Sequence, residues 1–260
     1  MLTGTQLVFD DPAAAARAAA EAFLLALKKH DAGRRGLFNV ALSGGSTPNA
    51  MYEYLAQLPV EREVRALARK ARFFWSDERT VPADHAESNF GAAWTRWLKG
   101  LDLPPEQIHR LAGEHVAALS AQNYERLIEA FVPAGTGVRA GGGGVPRFDL
   151  IFLGMGPDGH TASLFPSTAA LAETERLVVA NAVPQQATTR LTFTFPLINA
   201  AEQVWILCTG ASKAAALAAV AKAGREGNGA YPISFVQPKA KKAVKWWLDR
   251  AAVVGGSAKS

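Results

Sequence analysis

Residues 148–166 read FDLIFLGMGPDGHTASLFP, an apolar run that stops abruptly at a glycine-rich, charged turn. Leu150 to Leu153 contain nothing polar, so a strand built from them is buried on both faces, the pattern of a parallel sheet covered by helices. The turn GMGPDGH carries glycines at 154, 156 and 159, which permit a sharp reversal and project Asp158 and His160 at the strand's carboxyl end. Ligands of open α/β sheets bind at that end. Histidine titrates near neutrality, so His160 is a candidate general base for activating water, with Asp158 placed to orient its ring. A histidine that donates to backbone is the alternative.

Outward from this stretch the same alternation recurs. LVFD (7–10) precedes a predicted helix near 12–30, LFNVAL (37–42) one near 47–58, and ARFFWS (71–76) one near 88–98. RLVVANAV (176–183), RLTFTF (190–195) and VWILCTG (204–210) continue the theme, the last followed by the helical ASKAAALAAVAKA. Strands alternating with amphipathic helices predict an α/β, Rossmann-like fold, a mostly parallel sheet with helices on both faces. Residues 1–260 are read as one α/β domain, with the glycine-rich 135–146 (GTGVRAGGGGVP) as a flexible surface loop that makes no stable element.

Two further strand ends carry polar groups. SGGSTP (43–48) joins a buried strand to a helix: Gly44 and Gly45 let backbone approach an anion, and Ser43, Ser46 and Thr47 offer hydroxyls beside free helix amides. It reads as a phosphate or sugar cradle, or as a tight N-capped turn, and matches neither GxxxxGK[ST] nor GxGxxG. In FFWSDERTVPADHAESNFGAAW (73–94), Asp77 and Arg79 sit where a strand ends, as ligand groups or as a capping and ion-pair cluster. Arg190 and Lys213 follow turns near other strand ends, and two cations suit a dianionic phosphate.

Bulk properties narrow the function. A formal charge of +5 with dispersed basic residues fits a small anionic substrate better than nucleic acid; PKAKKAVKWW (238–247) is read as a solvated helix face. The single Cys208 excludes an internal disulfide and is read as a buried hydrophobe. No run is long enough to span a bilayer and no secretory leader is seen, so a cytoplasmic protein without membrane or nucleic-acid partners is expected, monomeric by preference. The histidines at 30, 85, 109 and 115 form no compact metal-ligand set, and there is no GxSxG elbow.

LSGGSTP, SDER running on to ESNF, GMGPDGHTASLFP and RLTFTFPLINAAEQVWILCTGASK occur in the order of the characteristic blocks of the 6-phosphogluconolactonase family, which the chain resembles from about Phe9 to Leu248. The resemblance implies a fold shared with glucosamine-6-phosphate deaminase and isomerase. It also implies hydrolysis of 6-phospho-D-glucono-1,5-lactone to 6-phosphogluconate without metal or organic cofactor. By the same resemblance His160 is the general base, and Ser43, Arg79, Arg190 and Lys213 hold the phosphate. The related deaminases carry a glutamate five residues after this histidine; here that residue is Phe165.

Overall fold

A computed structural model describes residues 2–31, 33, 36–58, 61–138, 142–223, 230–238 and 243–254. Six strands form its central sheet: β1 (Thr5–Phe9), β2 (Phe38–Leu42), β3 (Ala71–Trp75), β7 (Leu150–Gly154), β10 (Val204–Cys208) and β11 (Val244–Asp249). Their order is β1-β11-β10-β7-β2-β3, and every pairing is parallel. This is the expected Rossmann-like sheet.

Side chains alternate across the sheet with the period of two that a strand imposes. Val40 and Leu42 of β2, Phe73 and Trp75 of β3, and Leu150 and Phe152 of β7 enter one core; Ala41, Phe74, Ile151 and Leu153 enter the other. The first core is closed by α1 (Pro12–Lys29), α2 (Ser46–Gln57), α3 (Glu61–Ala68) and α4 (Asn89–Arg96). Helix α1 starts where Asp11 accepts from Ala14 N at 2.8 Å with Pro12 next in line, and ends on Lys28 and Lys29, which suit the negative end of the helix dipole. The second core lies under α5 (Ala117–Phe131), α6 (Phe195–Ala200), α7 (Ala214–Ala223) and α8 (Arg250–Val254).

Three expectations are corrected. RLVVANAV and RLTFTF do not join the parallel sheet: β8 (Val178–Val183) and β9 (Thr188–Phe193) form an antiparallel hairpin that pairs with β4 (Asp77–Arg79). Leu191 and Phe193 of β9 are buried in the second core, while Arg190, on the other side of the strand, is half-buried. The segment 135–146 is not all loop, because β5 (Ala134–Val138) pairs antiparallel with β6 (Gly144–Pro146); residues 139–141 lie outside the described residues. In PKAKKAVKWW, residues 239–242 also lie outside them, and Val244 onward is strand β11 rather than helix, with Trp246 and Trp247 buried on opposite faces.

Candidate active site

The chain leaves β2 toward β3 on one side, whereas β7, β10 and β11 extend the sheet the other way. Between β2 and β7 the connections therefore diverge, which opens a crevice at the strands' carboxyl ends. A cavity of about 160 Å³ lies there, lined by Ser43 to Pro48 after β2, Asp77, Arg79 and Asn89 after β3, Gly154 to Gly156, His160 and Ala162 at and after the end of β7, and Leu207 to Thr209 with Lys213 at and after the end of β10. It is smaller than the clefts of about 300–1,000 Å³ that take drug-sized ligands, so a single small polar molecule suits it better than a dinucleotide.

His160 Nδ1 lies 2.6 Å from Asp158 Oδ1, and the same oxygen accepts from His160 N at 3.2 Å. Burial pushes the Asp158 carboxyl up, but its bonds to His160 and the imidazole's charge outweigh that and leave it below the ordinary range. A carboxylate has no proton to give, so Nδ1–H donates, and in the neutral ring the free lone pair is on Nε2. No described residue hydrogen-bonds Nε2, and the side chain is 27% exposed at the cavity wall. Gly156 lies directly beneath: a Cβ there would come within 2.1 Å of His160 Nδ1 and 2.5 Å of Asp158 Oδ1.

Opposite, the turn after β2 is pinned at both ends. Tyr52, on α2, donates to Ser43 O at 2.7 Å, and the Thr47 hydroxyl meets that of Thr209 at 2.7 Å, tying the β2 and β10 connections together. Gly44 faces Asn89, whose Oδ1 would lie 1.9 Å from a Cβ at that position. Asn89 in turn donates from Nδ2 to Asp77 O at 2.9 Å. Glu78 holds this corner: its carboxylate accepts from the backbone amides of Arg79, Asn89 and Phe90 at 2.7–2.8 Å and from Ser88 Oγ at 3.0 Å, at the start of α4. Burial raises its affinity for a proton, against those bonds. Asp77 is also buried, with Oδ2 accepting from Ser163 Oγ at 2.7 Å.

Arg79 and Arg190 are paired Cα to Cα across β4 and β9. No carboxylate pairs with either among the described residues. The buried Nε of each has no hydrogen-bond partner, Arg190 donates only to Gln186 Oε1 at 2.9 Å, and Arg79 only weakly to Glu87 O at 3.4 Å. Burial first, and then the neighbouring Arg79 charge, make the Arg190 cation less favourable than usual. Two like charges are thus held together with buried donors that lack partners.

Of the residues predicted from sequence, Ser43, Gly44, Gly45, Ser46, Thr47, Asp77, Arg79, His160 and Lys213 line the one cavity. Asp158 reaches it through His160, and Arg190 through Arg79. Sequence reasoning missed Thr209 and gave Asn89 no role. The signal for Thr209 was its position one residue past a buried strand, the same place that Ser43 and Ser76 occupy. Cys208 lines the floor, but burial pushes its thiol up to about 12, which leaves little thiolate for attack. His85 lies outside, its Nδ1 accepting from Glu87 N. Among the described residues no three His, Cys, Asp or Glu side chains cluster to hold a metal ion, and no helix is long and apolar enough to cross a membrane.

A doubly wound parallel sheet with a small cationic and hydroxyl-rich crevice at its switch point defines a Rossmann-like α/β protein. Residues 10–246 match the family model described as glucosamine-6-phosphate isomerases/6-phosphogluconolactonase. The chain belongs to that family. It is 40% identical to a 6-phosphogluconolactonase of Nostoc sp. over 222 residues, covering 84% of this chain and 85% of that one. It is 36% identical to the 6-phosphogluconolactonase of Haemophilus influenzae over 216 residues, covering 83% and 86%. The solved 6-phosphogluconolactonase of Trypanosoma brucei superposes with a TM-score of 0.82 at 26% identity, over 99% of this chain and 100% of that one.

Proposed function

We propose that this cavity hydrolyses 6-phospho-D-glucono-1,5-lactone to 6-phosphogluconate, with His160 as general base. The observation that carries the reading is the Asp158–His160 pair over Gly156, which fixes the imidazole tautomer with its free lone pair on Nε2 at the cavity wall. The names of the relatives supply the substrate.

In this mechanism Nε2 takes a proton from water as the oxygen attacks the lactone carbonyl at C1. Asp158 supports the imidazolium that forms. The tetrahedral oxyanion needs preorganised donors, which backbone amides lining the cavity beside His160 would supply. Collapse expels the ring oxygen, which takes the proton back from His160. The phosphate, remote from C1, is held by Arg79, Arg190, Lys213 and the turn hydroxyls, so its binding energy fixes the carbonyl against the water. Asp77 keeps Oδ1 for a sugar hydroxyl.

The test follows hydrolysis of freshly made lactone at neutral pH, with the spontaneous rate subtracted, for wild type and His160→Ala. Acceleration by wild type that the folded variant loses is expected. Acceleration retained by the variant removes His160 from the role. Folded wild type that binds 6-phosphogluconate without turnover makes the protein a sugar-phosphate sensor instead.

A further inference from the structure

The His160 imidazole has a second neighbour that the proposed chemistry has not used. The Phe165 ring lies 4.1 Å from it, centroid to centroid, at 25° between planes, so one face of the imidazole is covered by an aromatic face. Phe165 is only 4% exposed and cannot swing away, because its segment is tied at several points. Thr161 and Leu164 exchange backbone bonds, and Thr168 donates to Phe165 O from its hydroxyl at 2.8 Å. Asn181 on β8 donates from Nδ2 to both Ser163 O and Thr168 Oγ1, and Ser163 reaches Asp77.

We infer that Phe165 is a positioning residue for the base: it clamps the imidazole against Asp158 and presents its π face to the imidazolium that forms in the transition state. This rests on the lactonase reading above. Three contacts leave the ring little freedom, with Asp158 at Nδ1, Gly156 beneath and Phe165 on one face. A general base acts from its neutral form, against which the stack contributes packing alone. In the transition state the ring is a cation, and attraction to an aromatic face is gained only there, which is the kind of interaction that raises kcat. Covering one face also removes water, which opposes the charge. A leucine covers the same face without the π charge, so exchange to leucine separates the two effects. The other charged groups at this cavity, Asp77, Arg79 and Lys213, belong to different connections and are untouched by the exchange.

The experiment compares wild type, His160→Ala, Phe165→Leu and Phe165→Tyr in the lactone assay, with kcat, KM and the pH profile of kcat/KM, after thermal unfolding has shown each variant folded. Phe165→Leu is expected to lower kcat about two- to fivefold, the size of a half-exposed cation–π contact. KM should stay within about twofold, the acid limb of the profile should move to lower pH, and Phe165→Tyr should restore both. Should Phe165→Leu not fold, Phe165→Met serves the same comparison. A leucine variant with wild-type kcat and profile, a change confined to KM, or an equal loss in the tyrosine variant overturns the inference. Wild type without turnover removes the lactonase reading itself. Turnover that needs His160 but ignores Phe165 removes only the role of the stack.

Discussion

A methyl group at Gly156 would sit inside the contact distance of both members of the dyad, 2.1 Å from His160 Nδ1 and 2.5 Å from Asp158 Oδ1. The backbone there has no positive φ, so alanine would meet no Ramachandran penalty. What must move is the imidazole or the carboxylate. Gly156→Ala is therefore expected to fold with a melting temperature near wild type and to lose roughly 100-fold in kcat, the order of effect of displacing a catalytic group by about 1 Å. Steady-state kinetics beside a thermal melt checks it, and unchanged kcat would show that the dyad does not act from this position. Sequence reading singled out His160 and Asp158 as candidates because a charged turn after a buried strand is a local signal. It could not tell that they touch, since a spacing of two in a loop fixes no side-chain direction. Asn89 was harder still: its place over Gly44 is set by Glu78 holding the start of α4, a contact across eleven residues.

Strands β4 and β9 hold Arg79 and Arg190 opposite one another, where like charges on a sheet are unfavourable. That arrangement makes sense if an anion joins them during function, and it predicts opposite signs for two measurements on Arg190→Gln. Without ligand, removing one charge relieves repulsion, so the melting temperature should hold or rise. With 6-phosphogluconate, a charge-assisted contact of about 1.5–3 kcal/mol is lost, so the affinity should fall roughly 10- to 100-fold and ligand-induced stabilisation should shrink with it. Thermal melts across a ligand titration read both; a variant destabilised without ligand but unaltered in affinity would make the pair structural. This pairing was not legible in RLTFTF, because local pattern reports that a segment is extended but not which edge it joins. The same limit explains β11. The lysines of PKAKKAVKWW suggested a wet helix, yet adjacent buried tryptophans on opposite faces fit only a strand, and that is visible once β1 and β10 flank it.

For the molecule as a whole, the parallel sheet and its two helical layers were readable because continuous apolar strands and amphipathic helices carry the pattern locally. How the layers are locked together was not readable, and His109 illustrates why. It looked like one of several scattered histidines, yet its ring lies between Phe74 of β3 at 4.9 Å and Phe131 of α5 at 4.6 Å, and Tyr124 of α5 donates to its carbonyl at 2.8 Å. Burial, helped by the Arg72 charge and opposed by a bond with the Glu106 backbone, pushes its pKa down to about 4, and Nε2 is buried without a partner. The unfolded chain takes up a proton near 6.5, whereas the folded one resists until about 4. Stability is therefore intact above pH 6.5, falls as the pH drops from 6.5 to 4, and loses nothing further from this group below that. The full effect is of the order of 3 kcal/mol. Carboxylates act in a different window: Glu114, held down to about 2 by Arg110, gives up its contribution between pH 4.5 and 2. The raised Glu78 works in the opposite sense, since it takes its proton more readily in the folded state. His109→Phe keeps an aromatic ring between Phe74 and Phe131 and removes the titration. Urea unfolding at pH 7.5, 6.5, 5.5, 4.5 and 3.5 should then show no difference in slope between pH 7.5 and 6.5, wild type losing stability from 6.5 to 4.5 while the variant loses much less, and the two curves parallel below pH 4. Comparing slopes rather than absolute values cancels any repacking cost of the larger ring. Equal slopes between pH 6.5 and 4.5 would mean that the layer contact opens to let His109 charge, and that the acid sensitivity of the fold lies elsewhere.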